Sequence, residues 1–504
     1  MTDFGSRNSE KLRLRFCPSP TGVPHVGMIR TMLFNWAYTK HIDGTLVFRI
    51  EDTDQERDSE ESYQAILESL RWLGLDWDEG VEAGGPYGPY RQSERMDIYR
   101  EVAGQLLEAG FTYKSYSTTE EIRARNMTKG LNPNLGYDGF DRELTSQQIS
   151  QYEAEGRKPV LRIRVPDQLW TFQDLIRGEI TFNPQDFPDF VIMRGDNTPL
   201  YTLTNPLDDA LMKIDLVMRG EDLLSSTPRQ MVLYEALKSI GVATKTPDFA
   251  HLPYVMGEGN KKLSKRDLES DVLLHRNNGM IPEGLLNYLA LLGWSIGPDR
   301  DVFSMSEMIK EFDIAKVNPN PARFDYKKCV ALNGVHIREL EVSDFKQRIV
   351  PYLYGDGLVS SDNFAQLPAS EKTILDQAAG LLQERIQLLG EAPAMLDYLF
   401  RSSDALEYQA DALNQLPEGW EKILQIGIDT IEQIPNFTAT ALHEIFNEVL
   451  VQGQGLKPKY AFTPFRVALT GKRISLPLFE TMVILGREVT LQRLSQFVQK
   501  NSRA

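Results

Sequence analysis

The chain has 504 residues, with 71 acidic and 55 basic side chains for a formal net charge of −16, and 41% of its residues are hydrophobic. Its length predicts two to four domains, and 23 Phe, 19 Tyr and 6 Trp supply enough apolar surface to exclude a disordered chain. No apolar run approaches 18 residues and the opening MTDFGSRNSEKLRLRF lacks a signal-peptide core, so a soluble cytoplasmic protein without a membrane partner is expected.

In chain order, Leu12, Leu14 and Phe16 alternate with Arg13 and Arg15, which predicts a strand ended by Pro18-Ser19-Pro20-Thr21-Gly22. A helix is predicted from about His25 to His41, with Ile29, Leu33, Trp36 and Ala37 on one stripe and Gly44 just beyond its end. The apolar run Leu46 to Ile50 then suits a buried parallel strand. Such a βαβ unit offers free backbone N–H groups to an anion where its first strand turns into the helix. From Arg91 to about Tyr201 the pattern is mixed, with an irregular stretch Asn126 to Gly139 and strand-like runs Val160 to Val165 and Phe190 to Arg194, as in an inserted domain. A strand at Asp215 to Val217, followed by a helix near Arg229 to Ser239, resumes the nucleotide-type fold. After about Leu340 helical stripes dominate, such as Ile374, Ala378, Leu381, Leu382 and Ile386, so the last third is expected to be all α.

Two cysteines, Cys17 and Cys329, cannot build a disulfide framework or a four-cysteine zinc site, and the six histidines are too scattered for a ligand pair; no resident metal is expected. The acidic total leaves a local positive face open. From Leu456 to Ala504 nine Lys or Arg stand against Glu480 and Glu488, a composition that suits a phosphate contact surface or an ordinary solvated helix surface.

Two motifs carry chemistry. In Pro24-His25-Val26-Gly27-Met28, His25 can donate to a phosphate and Gly27 lets an adenine ring approach the backbone, although such a triplet alone also fits a plain helix start. Downstream, Lys261-Lys262-Leu263-Ser264-Lys265-Arg266 follows Gly257-Glu258-Gly259-Asn260 and reads as a mobile cationic loop able to close over a triphosphate, with Lys262 and Lys265 offsetting charge on departing pyrophosphate. Taken singly, it reads better as a solvated basic loop.

Together, HVGM and KLSKR resemble the paired signatures of class I aminoacyl-tRNA synthetases. Arg15-Phe16-Cys17-Pro18-Ser19-Pro20-Thr21-Gly22, Arg49-Ile50-Glu51-Asp52-Thr53-Asp54, the run Gly85 to Ser93, Tyr137-Asp138-Gly139, Asp208-Asp209 and Arg219-Gly220-Glu221-Asp222 narrow the likeness to the bacterial-type glutamyl-tRNA synthetases, from about Leu12 to Val498. Met28 departs from the general class signature, which has a second histidine there, and the segment Tyr113 to Arg142 lacks the cysteines with which some relatives bind zinc. The resemblance implies an α/β chain with a Rossmann-type catalytic domain at 1–90 and 202–255, an inserted α/β acceptor-end-binding domain at 91–201, a KLSKR-loop and stem-contact domain at 256–335 and an all-α anticodon-binding region at 336–504.

A substrate with two carboxylates and one ammonium needs two cations and one anion, and Arg15, Arg219 and Glu51 meet that need. The resemblance implies a glutamate pocket of these three with Ser19, Tyr201 and Asn205: Arg15 and Tyr201 near the side-chain carboxylate, Arg219 and Asn205 near the α-carboxylate, Glu51 on the ammonium. For ATP it implies His25, Gly27, Asp222, the Val255 backbone, Lys262, Leu263, Ser264, Lys265 and Arg266, with Mg²⁺ arriving on the nucleotide. The expected reaction is ATP-dependent formation of glutamyl adenylate and transfer to tRNA(Glu), with tRNA(Gln) as a second acceptor in some relatives and with tRNA helping to assemble the glutamate site. A monomer is expected. Asp52 and Asp54 fit loop-capping carboxylates as well as a metal site. A glutaminyl enzyme would carry C-terminal β-barrels, a glutamyl-queuosine type relative would lack the C-terminal region, and a small-molecule nucleotidyltransferase would give that region no role. A non-catalytic RNA-binding module would not need Arg15, Glu51 and Arg219 together.

Overall fold

The computed structural model describes residues 11–501 apart from 55, 258, 260 and 264–266. The chain divides into two compact units, Met1–Leu274 with Leu285–Tyr326, and His275–Gly284 with Lys327–Ala504.

The first unit opens with β1 (Arg13–Phe16), α1 (Val26–His41), β2 (Thr45–Phe48), α2 (Glu60–Leu73) and β3 (Glu79–Gly80). The α2 helix, which the sequence reading did not single out, starts at Ser59, whose side chain accepts from the Ser62 N–H, carries Glu60 and Glu61 in its first turn and stops at Gly74 with φ 68°. Each of these features favours a helix end at that place. The helix α1 differs from the expected single stripe: Val26, Ile29, Arg30, Met32 through Thr39 are all buried. It packs on β1 and β2 on one side and on α10 (Met305–Glu311) on the other, so little of it meets water.

Next come α3 (Met96–Glu108), β4 (Thr112–Ser115), α4 (Thr119–Thr128), α5 (Ser146–Ala154), β5 (Val160–Ile163), β6 (Trp170–Asp174), β7 (Gly178–Phe182) and β8 (Val191–Met193). Strands β4, β5 and β8 form a small antiparallel sheet, whereas β6 and β7, which lie within the same stretch 91–201, form a hairpin on the edge of the large sheet. The segment Tyr113–Arg142 is tied by carboxylates. Asp138 accepts both prongs of Arg125 at 2.8 and 3.0 Å, Asp141 accepts from Ser115 and Ser117, and Asp189 pairs with Arg142 and accepts from Tyr113.

The unit continues through α6 (Tyr201–Leu211), β9 (Leu216–Gly220), α7 (Thr227–Ser239), β10 (Asp248–Leu252) and β11 (Val255–Met256). After α8 (Val272–Asn277) and α9 (Pro282–Leu291), whose residues 275–277 and 282–284 belong to the other unit, and α10, it reaches β12 (Ala322–Arg323), which pairs with β11. The large sheet has the order β3-β2-β1-β9-β10-β6-β7, parallel except for the β6–β7 hairpin.

The second unit is helical: α11 (Tyr326–Glu339, its first residue in the other unit), α12 (Val342–Gly355), α13 (Ala369–Gln383), α14 (Ala392–Phe400), α15 (Ala410–Leu413), α16 (Trp420–Gln433), α17 (Ala439–Phe446), α18 (Pro458–Thr470) and α19 (Leu478–Asn501), the last broken at Gly486. One apolar cluster gathers Phe345, Ile349, Leu382 and Leu396, the other Leu424, Phe446, Phe465 and Phe497. Of the basic tail, Arg466, Arg487 and Arg493 donate to backbone carbonyls and Lys472 pairs with Asp397, whereas Lys457, Lys459, Arg473 and Lys500 are exposed. The surface available to phosphate is therefore narrower than the composition implied, because helix packing consumes part of it.

Candidate active site

The strand β1 lies between β2 and β9, so the chain leaves it in one direction through α1 while the strand on its other side arrives from far downstream. Helices depart to opposite sides at such a point, and a crevice opens at the carboxyl ends of the strands. Here that crevice is a cavity of about 970 Å³, lined among others by Arg15, Ser19, His25, Glu51, Tyr201 and Arg219. The register pairs Leu14 with Leu216, which brings Arg15 and Arg219 to the mouth of adjacent strands. Tyr201, Asn205, Asp208 and Asp209 recur at helical spacing on α6 and face the same floor.

That floor is an almost dry ionic network. Asp209 accepts from Arg15 Nε at 3.3 Å and pairs with Arg49 at 2.9 Å, and Glu51 Oε1 accepts from Arg49 at 3.0 Å and from Asn205 Nδ2 at 2.6 Å. Asp208 accepts from Arg95 at 2.7 Å, Gln92 at 2.9 Å and Tyr99 at 2.8 Å. Burial by itself would raise the Asp209 pKa, but Arg15 and Arg49 outweigh it and hold the carboxyl below its ordinary value. Burial would likewise lower Arg15, and Asp209 together with Cys17 and Tyr201 reverses that. Cys17, half-buried beside Asn205, has its thiol pushed up to about 12, chiefly by burial, and stays neutral. Arg15, Arg49, Arg95 and Arg219 are set against Glu51, Asp174, Asp208 and Asp209, all buried, so the cations and anions of the floor balance.

Arg219 differs from the other three. Among the described residues no carboxylate lies within ion-pair distance of it, and its partners are the His251 ring nitrogen Nε2 (3.1 Å), the Thr227 hydroxyl (2.8 Å), the Leu223 carbonyl (3.3 Å) and, weakly, the Tyr201 hydroxyl (3.4 Å).

A second cavity of about 180 Å³ adjoins the first through His25, Met28, Thr31, Gly220 and Asp222, and is closed by Gly27, Arg30, Val255, Lys262 and Leu263. His25 is the N-cap of α1: its Nδ1 accepts from the Met28 N–H at 3.2 Å, so the ring proton sits on Nε2 and can be donated. A Cβ on Gly27 would stand 3.2 Å from that ring. Lys262 pairs with Asp222 at 3.2 Å and packs over Tyr254, on a turn where the Leu263 N–H donates to the Val255 carbonyl.

The two cavities thus collect Arg15, Ser19, Glu51, Tyr201 and Arg219 in one, Gly27, Val255, Lys262 and Leu263 in the other, and His25 and Asp222 in both. Asn205 sits behind the first wall, bonded to Glu51 and Gln230. The Tyr201 hydroxyl lies 3.4 Å from Arg219 in the cavity that Arg15 also lines, and Asn205 is bonded to Glu51. Ser264, Lys265 and Arg266 lie outside the described residues. Asp52 accepts from Ser93 and Asp54 from Arg57, as loop-capping carboxylates do. Sequence reasoning gave no role to Arg49, Asp208 or Asp209, although all three fell inside quoted motifs, nor to His251 and Asp174. A lone histidine on the apolar strand β10 was their one available signal.

Residues 11–330 match the family of tRNA synthetases class I (E and Q), catalytic domain, and residues 344–498 match an anticodon binding domain. A glutamate–tRNA ligase of Bifidobacterium adolescentis is 57% identical over 487 residues, 96% of each chain, and one of an Arthrobacter species is 56% identical over 486 residues with the same coverage. The crystal structure of a glutamate tRNA ligase from Elizabethkingia meningosepticum in complex with its amino acid superimposes with a TM-score of 0.84 at 30% identity, covering 97% of this chain and 99% of that one.

Proposed function

The chain belongs to the class I tRNA synthetases of the glutamate and glutamine family and is a tRNA-charging, ATP-dependent ligase for glutamate, and we propose that the larger cavity holds the amino acid and the smaller one ATP. The observation that carries the assignment of the cavity is the arginine it presents. Arg219 is buried, lines the cavity and, among the described residues, has no carboxylate within ion-pair distance, so a substrate carboxylate supplies the missing partner; glutamate brings two carboxylates for Arg15 and Arg219, whereas glutamine brings one. Arg219 with Tyr201 takes one carboxylate, Arg15 with Ser19 the other, and Glu51, held by Asn205, takes the ammonium.

An α-carboxylate oxygen attacks the α-phosphorus of ATP, the bond from that phosphorus to the β-phosphate bridging oxygen breaks, and pyrophosphate leaves. A hydroxyl of the terminal tRNA ribose then attacks the acyl carbon and releases AMP. His25, at the tip of α1, donates Nε2–H to a phosphate, Gly27 lets the nucleotide lie against the helix, and Asp222 and the Val255 backbone flank ribose and adenine. Lys262 and Leu263 line the nucleotide cavity, and the motif they open, with Ser264, Lys265 and Arg266, binds the triphosphate, Lys262 and Lys265 neutralising charge as pyrophosphate departs. No side-chain nucleophile is required; positioning and electrostatics supply the rate.

Magnesium comes as part of the nucleotide substrate. One copy contributes both cavities, which supports a monomer. Among the described residues no helix is long and apolar enough to cross a membrane, and dependence on tRNA and ATP supports a cytoplasmic location. The exposed Lys457, Lys459, Arg473 and Lys500 are the phosphate-contacting cations of the anticodon region.

ATP–pyrophosphate exchange with tRNA present should run with glutamate and not with glutamine, and should be slow when tRNA is left out. Exchange driven by glutamine alone would overturn the reading. Charging purified tRNA(Glu) and tRNA(Gln) decides between a discriminating enzyme and one that also glutamylates tRNA(Gln).

A further inference from the structure

Arg219 is aimed by a buried chain of groups two residues deep. The β10–β9 register places His251 directly opposite Arg219, and the β10–β6 register brings Asp174 alongside. Arg219 Nε can only donate, so His251 Nε2, at 3.1 Å, must be unprotonated and accepting. The imidazole proton then lies on Nδ1 and is donated to Asp174 Oδ2 at 2.6 Å. Asp174 is itself held, because its Oδ1 accepts from the backbone N–H groups of Ile176 at 3.0 Å and Arg177 at 2.9 Å. The Thr227 hydroxyl closes the ring, accepting from Arg219 and donating to His251 Nε2 at 3.1 Å. His251 is 0% exposed, Asp174 1% and Arg219 4%.

This arrangement spends Nε–H and the NH2 edge of the guanidinium inside the protein and leaves the NH1 edge for the cavity. We propose that Asp174 and His251 are positioning residues for substrate: Asp174 fixes the His251 tautomer, and His251 in that tautomer turns the Arg219 fork so that NH1 meets a glutamate carboxylate. The inference rests on the assignment of the larger cavity to glutamate. Its logic is that of an orienting carboxylate behind an imidazole, applied here to binding and not to proton transfer.

Asp174→Asn is the direct test. The amide can still accept from the two backbone N–H groups, but its own N–H now faces Nδ1, which shifts the ring proton to Nε2 and sets two donors against each other at Arg219. The glutamate KM in tRNA-dependent pyrophosphate exchange should rise about 10- to 100-fold, with the ATP KM within about twofold of wild type. Nitrogen-15 histidine spectra should move the His251 proton from Nδ1 to Nε2. Because that variant can fail to fold, His251→Gln and His251→Leu are compared as well. Gln keeps an acceptor for Arg219 and should hold the glutamate KM within about threefold, whereas Leu, which leaves the buried Nε–H without one and should also melt lower, should raise it about tenfold or more. Equal KM values for Gln and Leu, or a wild-type KM in a folded Asp174→Asn protein, overturn the inference. Arg219→Ala separates it from the underlying assignment. If that variant leaves the glutamate KM unchanged, the cavity is wrongly assigned; if it raises KM while the Asp174 and His251 variants do not, only the positioning role fails.

Discussion

Arg15→Ala offers a clean separation of binding from folding. Arg15 is 2% exposed and its guanidinium touches Asp209 at 3.3 Å, but Asp209 keeps its shorter contact with Arg49 at 2.9 Å when Arg15 is removed. No buried anion is orphaned, so the folded state should lose only about 1–3 kcal/mol, mostly from lost packing. The substrate has no such reserve. One carboxylate would enter a dry pocket without its cation, and a charge-assisted hydrogen bond at such a site is worth about 2–4 kcal/mol, or roughly 30- to 900-fold in affinity. Pyrophosphate exchange at saturating ATP and tRNA, with glutamate varied, should show that rise in KM, while filter binding gives a tRNA Kd close to wild type. Arg15→Lys should recover part of the loss, since it keeps the charge without the planar fork. A glutamate KM within threefold of wild type for a folded Arg15→Ala protein would refute this reasoning.

Gly27→Ala places a Cβ 3.2 Å from the His25 ring, which must shift by a few tenths of an ångström; the ATP KM should rise about 3- to 10-fold while stability is unchanged or up by as much as about 1 kcal/mol, and a variant with unaltered ATP KM would count against the nucleotide site. Asp209→Asn deprives two buried guanidiniums of their shared anion and should lower the urea midpoint by the equivalent of about 3–5 kcal/mol at unchanged m, so a loss below about 1 kcal/mol would show that the pair is not sustaining the floor. The His251 pKa is lowered, first by burial and then by Arg219 and Arg177, with Asp174 opposing. A folded-state value below the unfolded one, about 6.5, means that the unfolded chain takes up more protons, so this contribution to stability is complete above about pH 6.5 and is lost as pH falls below it. The apparent Tm should therefore drop less for His251→Gln than for wild type between about pH 7.5 and pH 5.5, and parallel curves would show that the histidine does not titrate in this way.

Much of the catalytic domain was legible along the chain because its signals are local. The alternation at Leu12, Leu14 and Phe16 corresponds to β1, the helix expected near His25 to His41 is α1 at Val26–His41, and the runs at 160–165 and 190–194 contain β5 and β8. His25 as the helix cap, Gly27 behind it and Lys262 on its turn needed only their neighbours to be understood. The all-α last third followed from the stripe at 374–386, which α13 and the buried Ile386 carry. The reading went astray where burial is set from outside an element. Nothing in the α1 sequence tells how much of its circumference other elements will cover, and no pattern around 170–182 says that this hairpin joins the large sheet.

Residue types and their short-range spacing determined which groups the proposed chemistry draws on: arginines for carboxylates, a capping histidine and a glycine for a phosphate, lysines for a leaving group. Strand order and register decided which of those groups meet. Arg15 and Asp209 lie 194 positions apart and Asp174 and His251 lie 77 apart, yet each pair is in contact. A hydrogen bond requires its atoms within about 3 Å, and separations of that size are set by which strands pair and in what register, a property of the whole folded sheet that no stretch of sequence carries alone.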